Sequence, residues 1–98
     1  MEITQMGIAG TMESSDIMIR LEPKETEGIE LNLSSSVMQQ FGKQITRVIM
    51  DTLKELDVDK VTVTAVDKGA LDCTVRARVS TAVHRAANDS NYRWRTKG

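Results

Sequence analysis

Ninety-eight residues, 40% of them hydrophobic, leave room for one compact unit, and with aromatics at 3% its core must be built from Val, Ile, Leu and Met. A formal net charge of −1 lacks the cationic excess that neutralising many phosphates requires, which argues against nucleic acid as a partner. The charge is uneven: residues 1–30 carry seven acids (Glu2, Glu13, Asp16, Glu22, Glu25, Glu27 and Glu30) against Arg20 and Lys24.

Met6 to Thr11 has weak strand character, its alternation diluted by Gly7 and Gly10. Ile17, Ile19 and Leu21 share one face of a second strand, and Ile29, Leu31 and Leu33 one face of a third, with Pro23 to Gly28 a polar connection that makes the two an antiparallel hairpin. From about Ser35 to Leu56 the apolar positions Val37, Met38, Phe41, Ile45, Val48, Ile49, Leu53 and Leu56 recur at spacings of three and four. That spacing predicts an amphipathic helix about 33 Å long, with a capping hydroxyl from the Ser34-Ser35-Ser36 run. Val61, Val63 and Ala65 form the next alternating run. Asp67-Lys68-Gly69 reads as a tight hairpin into a further strand of Leu71, Cys73, Val75 and Ala77. Val79, Ala82, Val83, Ala86 and Ala87 then return to helical spacing, ending near Asn88.

A sheet with one apolar face needs a cover, so the expected fold class is α+β. The expected architecture is a two-layer sandwich, a four- to five-stranded, largely antiparallel sheet covered by one long helix, in the order β-β-β-α-β-β-α. Residues 1–88 make a single domain, and 89–98, without periodicity, a flexible tail.

Catalytic material is scarce. There is one histidine, His84, and one cysteine, Cys73, so no internal disulfide or Cys/His zinc set can form, and no phosphate-binding or dinucleotide glycine loop is present. No basic segment leading into an apolar run opens the chain, and no stretch approaches the roughly 20 apolar residues that span a bilayer. The expectation is a cytoplasmic, non-catalytic protein without membrane contact. Cys73, in phase with Leu71 and Val75, reads as a small buried hydrophobe. Arg76, Arg78 and Arg85 offer a candidate basic patch, weighed against a merely solvated face. Tyr92-Arg93-Trp94-Arg95 mixes aromatics with charge as docking segments do, and a frayed terminus explains it equally well.

The most distinctive surface feature is Glu13-Ser14-Ser15-Asp16, between the first two strands. Ser-Ser suits a two-residue hairpin poorly, because the favoured turns need positive φ, so the loop should be wider and its hydroxyls exposed. A serine without a positioned base is a weak nucleophile, so covalent chemistry there needs a separate enzyme. A plain polar turn accounts for the same residues.

The segment Ala9-Gly10-Thr11-Met12-Glu13-Ser14-Ser15-Asp16, followed by Ile17-Met18-Ile19, resembles the N-terminal signature of citrate lyase acyl carrier proteins, the gamma subunits of that complex. Ser35-Ser36-Val37 with Gln40-Phe41-Gly42, and Asp67 to Cys73 leading to Arg76-Ala77-Arg78, extend the resemblance over residues 1–87, with Met12 where Leu is expected. The resemblance implies that Ser14 carries covalently bound 2'-(5''-phosphoribosyl)-3'-dephospho-coenzyme A, attached through a phosphodiester by a dedicated prosthetic-group transferase. It also implies two partners, an alpha subunit (acyl transferase) and a beta subunit (citryl lyase), which exchange acetyl for citryl and cleave citrate to oxaloacetate and acetate. The carrier of malonate decarboxylase, and a small interaction domain without a covalent group, are the alternatives.

Overall fold

The computed structural model describes residues 1–87. In chain order the elements are strands β1 (Gly7–Ala9), β2 (Ile17–Pro23) and β3 (Gly28–Ser35), helix α1 (Met38–Glu55), strand β4 (Lys60–Asp67) and helix α2 (Asp72–Ala86). The four strands form one mixed sheet in the order β1-β2-β4-β3. β2 runs antiparallel to both β1 and β4, whereas β3 runs parallel to β4.

Three expectations need correction. The order is β-β-β-α-β-α, because the expected strand at Leu71 to Ala77 is the first half of α2. In that stretch the alternation of Leu71, Cys73, Val75 and Ala77 coincides with a longer helical series, and the series prevails because Val75, Val79, Ala82, Val83 and Ala86 form one continuous buried face. Asp67-Lys68-Gly69 is therefore a strand-to-helix connection. Second, two helices cover the sheet, α2 over β1 and β2 and α1 on the β3 side. Third, β2 and β3 are not hairpin partners, since β4 lies between them. The segment from β3 through α1 to β4 is long enough to return the chain in the same direction, which is what parallel pairing requires.

Alternation fixes the buried face. Ile17, Ile19 and Leu21 on β2 and Val61, Val63 and Ala65 on β4 are buried beneath the helices, with register pairs such as Ile19 opposite Ala65. From α1 they meet Ile45, Ile49 and Leu53, and from α2 Val75, Val79 and Val83. Each large aliphatic side chain so buried contributes about 1.5–3 kcal/mol. Buried Thr52 satisfies its hydroxyl by donating to the Val48 carbonyl one turn earlier, at 2.7 Å. Gly7 allows β1 to touch α2 directly, as a Cβ there would lie 2.5 Å from the Ala82 carbonyl oxygen and 2.6 Å from the Ala86 nitrogen. α1 begins later than its spacing suggests, with Val37 as N-cap and no side-chain cap. Ser35 instead accepts from the Val37 N–H at 3.1 Å, outside the helix. Phe41, expected on the buried face, is exposed.

Candidate functional site

Ser14 is exposed at the tip of the β1–β2 loop, residues 10–16. The Asp16 N–H donates to the Glu13 carbonyl at 3.1 Å, closing a β-turn in which Ser14 and Ser15 are the central residues. Ser15 has a φ of 68°, a left-handed conformation usually left to Gly or Asn. Its strain is held in place because the Ser15 N–H donates to the Lys68 carbonyl at 2.8 Å and the Lys68 N–H donates to the Asp16 carbonyl at 2.9 Å. These bonds continue the β2–β4 ladder one step past Ile17 and Asp67. The loop is thus as wide as turn chemistry demands, while the residue next to Ser14 is pinned to the sheet.

Asp16 holds the rest of the loop. One carboxylate oxygen accepts from the Thr11 N–H at 3.1 Å and the Thr11 hydroxyl at 2.7 Å, and the other accepts from the Ile17 N–H at 2.7 Å. Arg78, 62 positions away on α2, donates to both oxygens at 3.0 and 3.1 Å. The fork geometry suits a bidentate guanidinium-carboxylate pair. The Arg78 guanidinium first, then the Thr11 hydroxyl and the Ile17 N–H, hold the Asp16 carboxyl far below the usual carboxylate range. At the loop entrance Gly10 has a φ of 89°, and a Cβ there would collide with the Ile17 carbonyl. Glu13 gains a main-chain bond, its N–H donating to the Thr11 hydroxyl at 3.2 Å.

Beneath the loop lies the β4–α2 connection, organised by buried Asp67. Its carboxylate accepts from the Ser35 hydroxyl at 2.8 Å, the Gly69 N–H at 3.1 Å and the Ala70 N–H at 3.0 Å. Asp67 therefore orients Lys68, whose main chain holds Ser15 and Asp16.

The other candidates fall elsewhere. Cys73 is exposed on the first turn of α2, because the segment is a helix, which corrects the buried reading. The arginines do not form a patch: Arg76 pairs with Glu55 at 2.8 Å, Arg78 with Asp16, and Arg85 donates to the Ile8 carbonyl at 2.7 Å. His84 lies in the last turn of α2, half-buried and away from Ser14's turn. The Tyr92 to Arg95 segment and the expected tail lie outside the described residues. Sequence reasoning missed Arg78 and Thr11 as partners of Asp16, and no local pattern signals a pairing across 62 positions. Asp67 was legible in principle, since an Asp two residues before a Gly is an Asx-turn signal.

Residues 4–86 match the acyl carrier family model described as malonate decarboxylase delta subunit (MdcD). The citrate lyase acyl carrier protein of Streptococcus mutans is 55% identical over 97% of this chain and 93% of its own length. That of Latilactobacillus sakei is 53% identical over 96% and 92%. Among solved structures, a chain of a Pseudomonas malonate decarboxylase hetero-tetramer superposes with a TM-score of 0.64 at 18% identity, covering 86% of this chain and 90% of that one, a likeness of fold. Since the family model spans most of the chain and these relatives share over half of its residues along nearly its full length, the chain belongs to the citrate lyase acyl carrier protein family.

Proposed function

We propose that this chain is the non-catalytic acyl-carrier subunit of a cytoplasmic citrate lyase complex and that Ser14 is the attachment site for 2'-(5''-phosphoribosyl)-3'-dephospho-coenzyme A. One observation carries the reading: Ser14 is the exposed corner of a turn whose next two residues are fixed by Lys68 and Arg78. An exposed hydroxyl on a held turn suits an acceptor that another enzyme must grip and activate. Among the described residues no hydrogen bond puts a base on Ser14, and the nearby Asp16 carboxylate is engaged by Arg78, which suits a serine modified by another enzyme and not a nucleophilic catalyst. When bound, the group supplies a thiol that holds acetyl and citryl thioesters while alpha and beta subunits cleave citrate to oxaloacetate and acetate. The protein's part is to keep the attachment point rigid, so that each meeting of thioester and active site becomes an intramolecular event set by effective concentration.

Among the described residues nothing covers Ser14, which is exposed, and that fits a bulky substituent there. With Asp16 paired to Arg78, Glu13 is, among the described residues, the acid flanking the two serines that is left to repel an anionic arm. The match to a malonate decarboxylase subunit model favours a second reading, a carrier for that decarboxylase with the same site. Intact-mass measurement of the protein from its native host tests the site: an added mass lost completely in Ser14→Ala is expected, and its persistence in that variant refutes the proposal. Reconstitution with each set of partners separates the two complexes.

A further inference from the structure

Phe41 belongs to the apolar series of α1, yet it is 48% exposed, and Leu71, the N-cap of α2, is 71% exposed. Both line one surface hollow of about 420 Å³, within the range of small-molecule sites. Val37, Phe41 and Ile45 recur at intervals of four and make one wall at the start of α1, while Ala70 and Leu71 from the β4–α2 connection make the other. A polar pair, Gln44 and Asp72, completes the lining: the Gln44 side-chain N–H donates to one Asp72 carboxylate oxygen at 2.7 Å. Among the described residues, the Gln44 side-chain oxygen and the second Asp72 oxygen accept no hydrogen bond. The lining thus offers apolar walls and acceptors, and no cation.

The position of the hollow is as informative as its lining. Gly69, which also lines it, follows the Lys68 carbonyl that accepts from the Ser15 N–H at 2.8 Å. The hollow therefore opens one peptide unit from the main chain that holds the Ser14 turn. A Cβ at Gly69 would meet no atom within 4 Å, so this part of the wall is open.

We infer that the hollow is the resting site of the pantetheine portion of the group proposed for Ser14, an inference that rests on that carrier reading. Pantetheine is uncharged. Its dimethyl-substituted carbon suits walls that include Phe41 and Leu71, and its two amide N–H groups are donors for the oxygens of Gln44 and Asp72. The diphosphate of the same group is disfavoured there by the Asp72 carboxylate and the lack of a lining cation. Tethering favours this occupant over others. A flexible link presents the arm at an effective concentration on the order of 1 mM, so an intrinsic affinity of about 1 mM seats it about half of the time and still releases it readily. A second copy at about 1 µM is offered roughly a thousandfold more dilutely. Residues 88–98 follow α2, whose 15 residues carry the main chain about 22 Å away from Asp72 before they begin.

NMR of the whole chain, with and without the group at Ser14 as verified by intact mass, tests the inference. Loading should shift the methyl signals of Val37, Ile45 and Leu71 and the ring signals of Phe41, and should give nuclear Overhauser contacts from the two pantetheine methyl groups to these residues. In F41S/L71S, where both replaced side chains are exposed and the core is untouched, seating should weaken about tenfold, from about half of the time to about a tenth. The contacts to Val37 and Ile45 should fade accordingly, with loading at Ser14 unchanged. A loaded chain whose signals match those of the unloaded one overturns the resting site and leaves the carrier function standing. Contacts to Val37 and Ile45 that keep their strength in F41S/L71S, or that come from the adenine, overturn it too. So do shifts of these residues in the unloaded chain that grow with its concentration or follow deletion of residues 88–98. A chain from its native host with no added mass at Ser14 overturns the carrier function and the resting site with it.

Discussion

The two loops that leave β2 look alike in sequence and behave differently in the fold. Both are short, polar and acidic: residues 10–16 carry Glu13 and Asp16, and residues 24–27 carry Glu25 and Glu27. The first is tied to β4 and α2 by the Lys68 main chain and the Arg78 guanidinium. Among the described residues the second has one main-chain tie, at its end, from the Gly28 N–H to the Asp59 carbonyl at 2.8 Å. Only the loop that presents Ser14 is built around a carboxylate with distant partners. An acid at a turn can therefore be a solvated charge or the hub of a site, and what decides is which residues the topology brings to it.

Glycine substitutions break the comparison most sharply. Both loops use a glycine at positive φ, Gly10 at 89° and Gly28 at 111°. A Cβ at Gly10 would collide with the Ile17 backbone, which cannot move without opening the hairpin, so Gly10→Ala should cost about 4 kcal/mol. At Gly28 the nearest atom is the flexible Lys24 Nζ, 3.8 Å away, so Gly28→Ala should cost only the conformational penalty of about 1–2 kcal/mol. Denaturant unfolding of the two variants measures both, and equal losses would show that the loops are not distinguished by close packing.

Next comes the support under the Ser14 loop. Asp67→Ala leaves the Gly69 and Ala70 N–H groups and the Ser35 hydroxyl without their acceptor, for a loss of about 3 kcal/mol. Asp67→Asn can accept from only some of these donors and should fall between it and the parent in urea unfolding. A smaller effect, on motion more than on stability, is expected of Arg78→Gln. Amide order parameters at residues 12–15 should fall from about 0.85 towards 0.6, while those of residues 24–27 stay unchanged.

Much of this architecture was legible from local pattern. α1 could be read from apolar spacing, and β2, β3 and β4 from strict alternation, because β2 and β4 each have one buried face and β3 alternates half-buried with exposed positions. Residues 71–77 misled because Leu71, Cys73, Val75 and Ala77 satisfy a two-residue period within a stretch too short to exclude it. Asp72 in the first helical turn was the signal that favoured a helix. The insertion of β4 between β2 and β3 left no mark in either strand, since pairing partners do not alter an alternation. Ser14 was legible as an exposed hydroxyl and as a family match, but not the clamp beside it, since Arg78 gives no local sign that it faces Asp16.

Acidification offers the gentlest way to separate the loops. In the unfolded chain Asp16 should titrate near the ordinary value of about 3.9. In the fold, the Arg78, Thr11 and Ile17 hydrogen bonds keep it ionised to much lower pH. Between those limits the unfolded state binds more protons than the native one, so stability increases with pH across this window. The contribution of Asp16 is fully present above the unfolded value and is lost as pH falls from about 5 into the strongly acidic range. The Ser14 loop should accordingly loosen on acidification, with the amide shifts of Thr11, Ser15 and Ile17 following Asp16 by NMR. In Arg78→Gln the loosening should begin at higher pH, with the midpoint moving towards 3.9 as the main depressing partner is lost. Asp16→Asn should abolish the transition at these amides and leave residues 24–27 as they were. If Thr11 and Ser15 kept their native shifts in Arg78→Gln down to the pH of global unfolding, the main-chain bonds to Lys68 would be holding the loop alone.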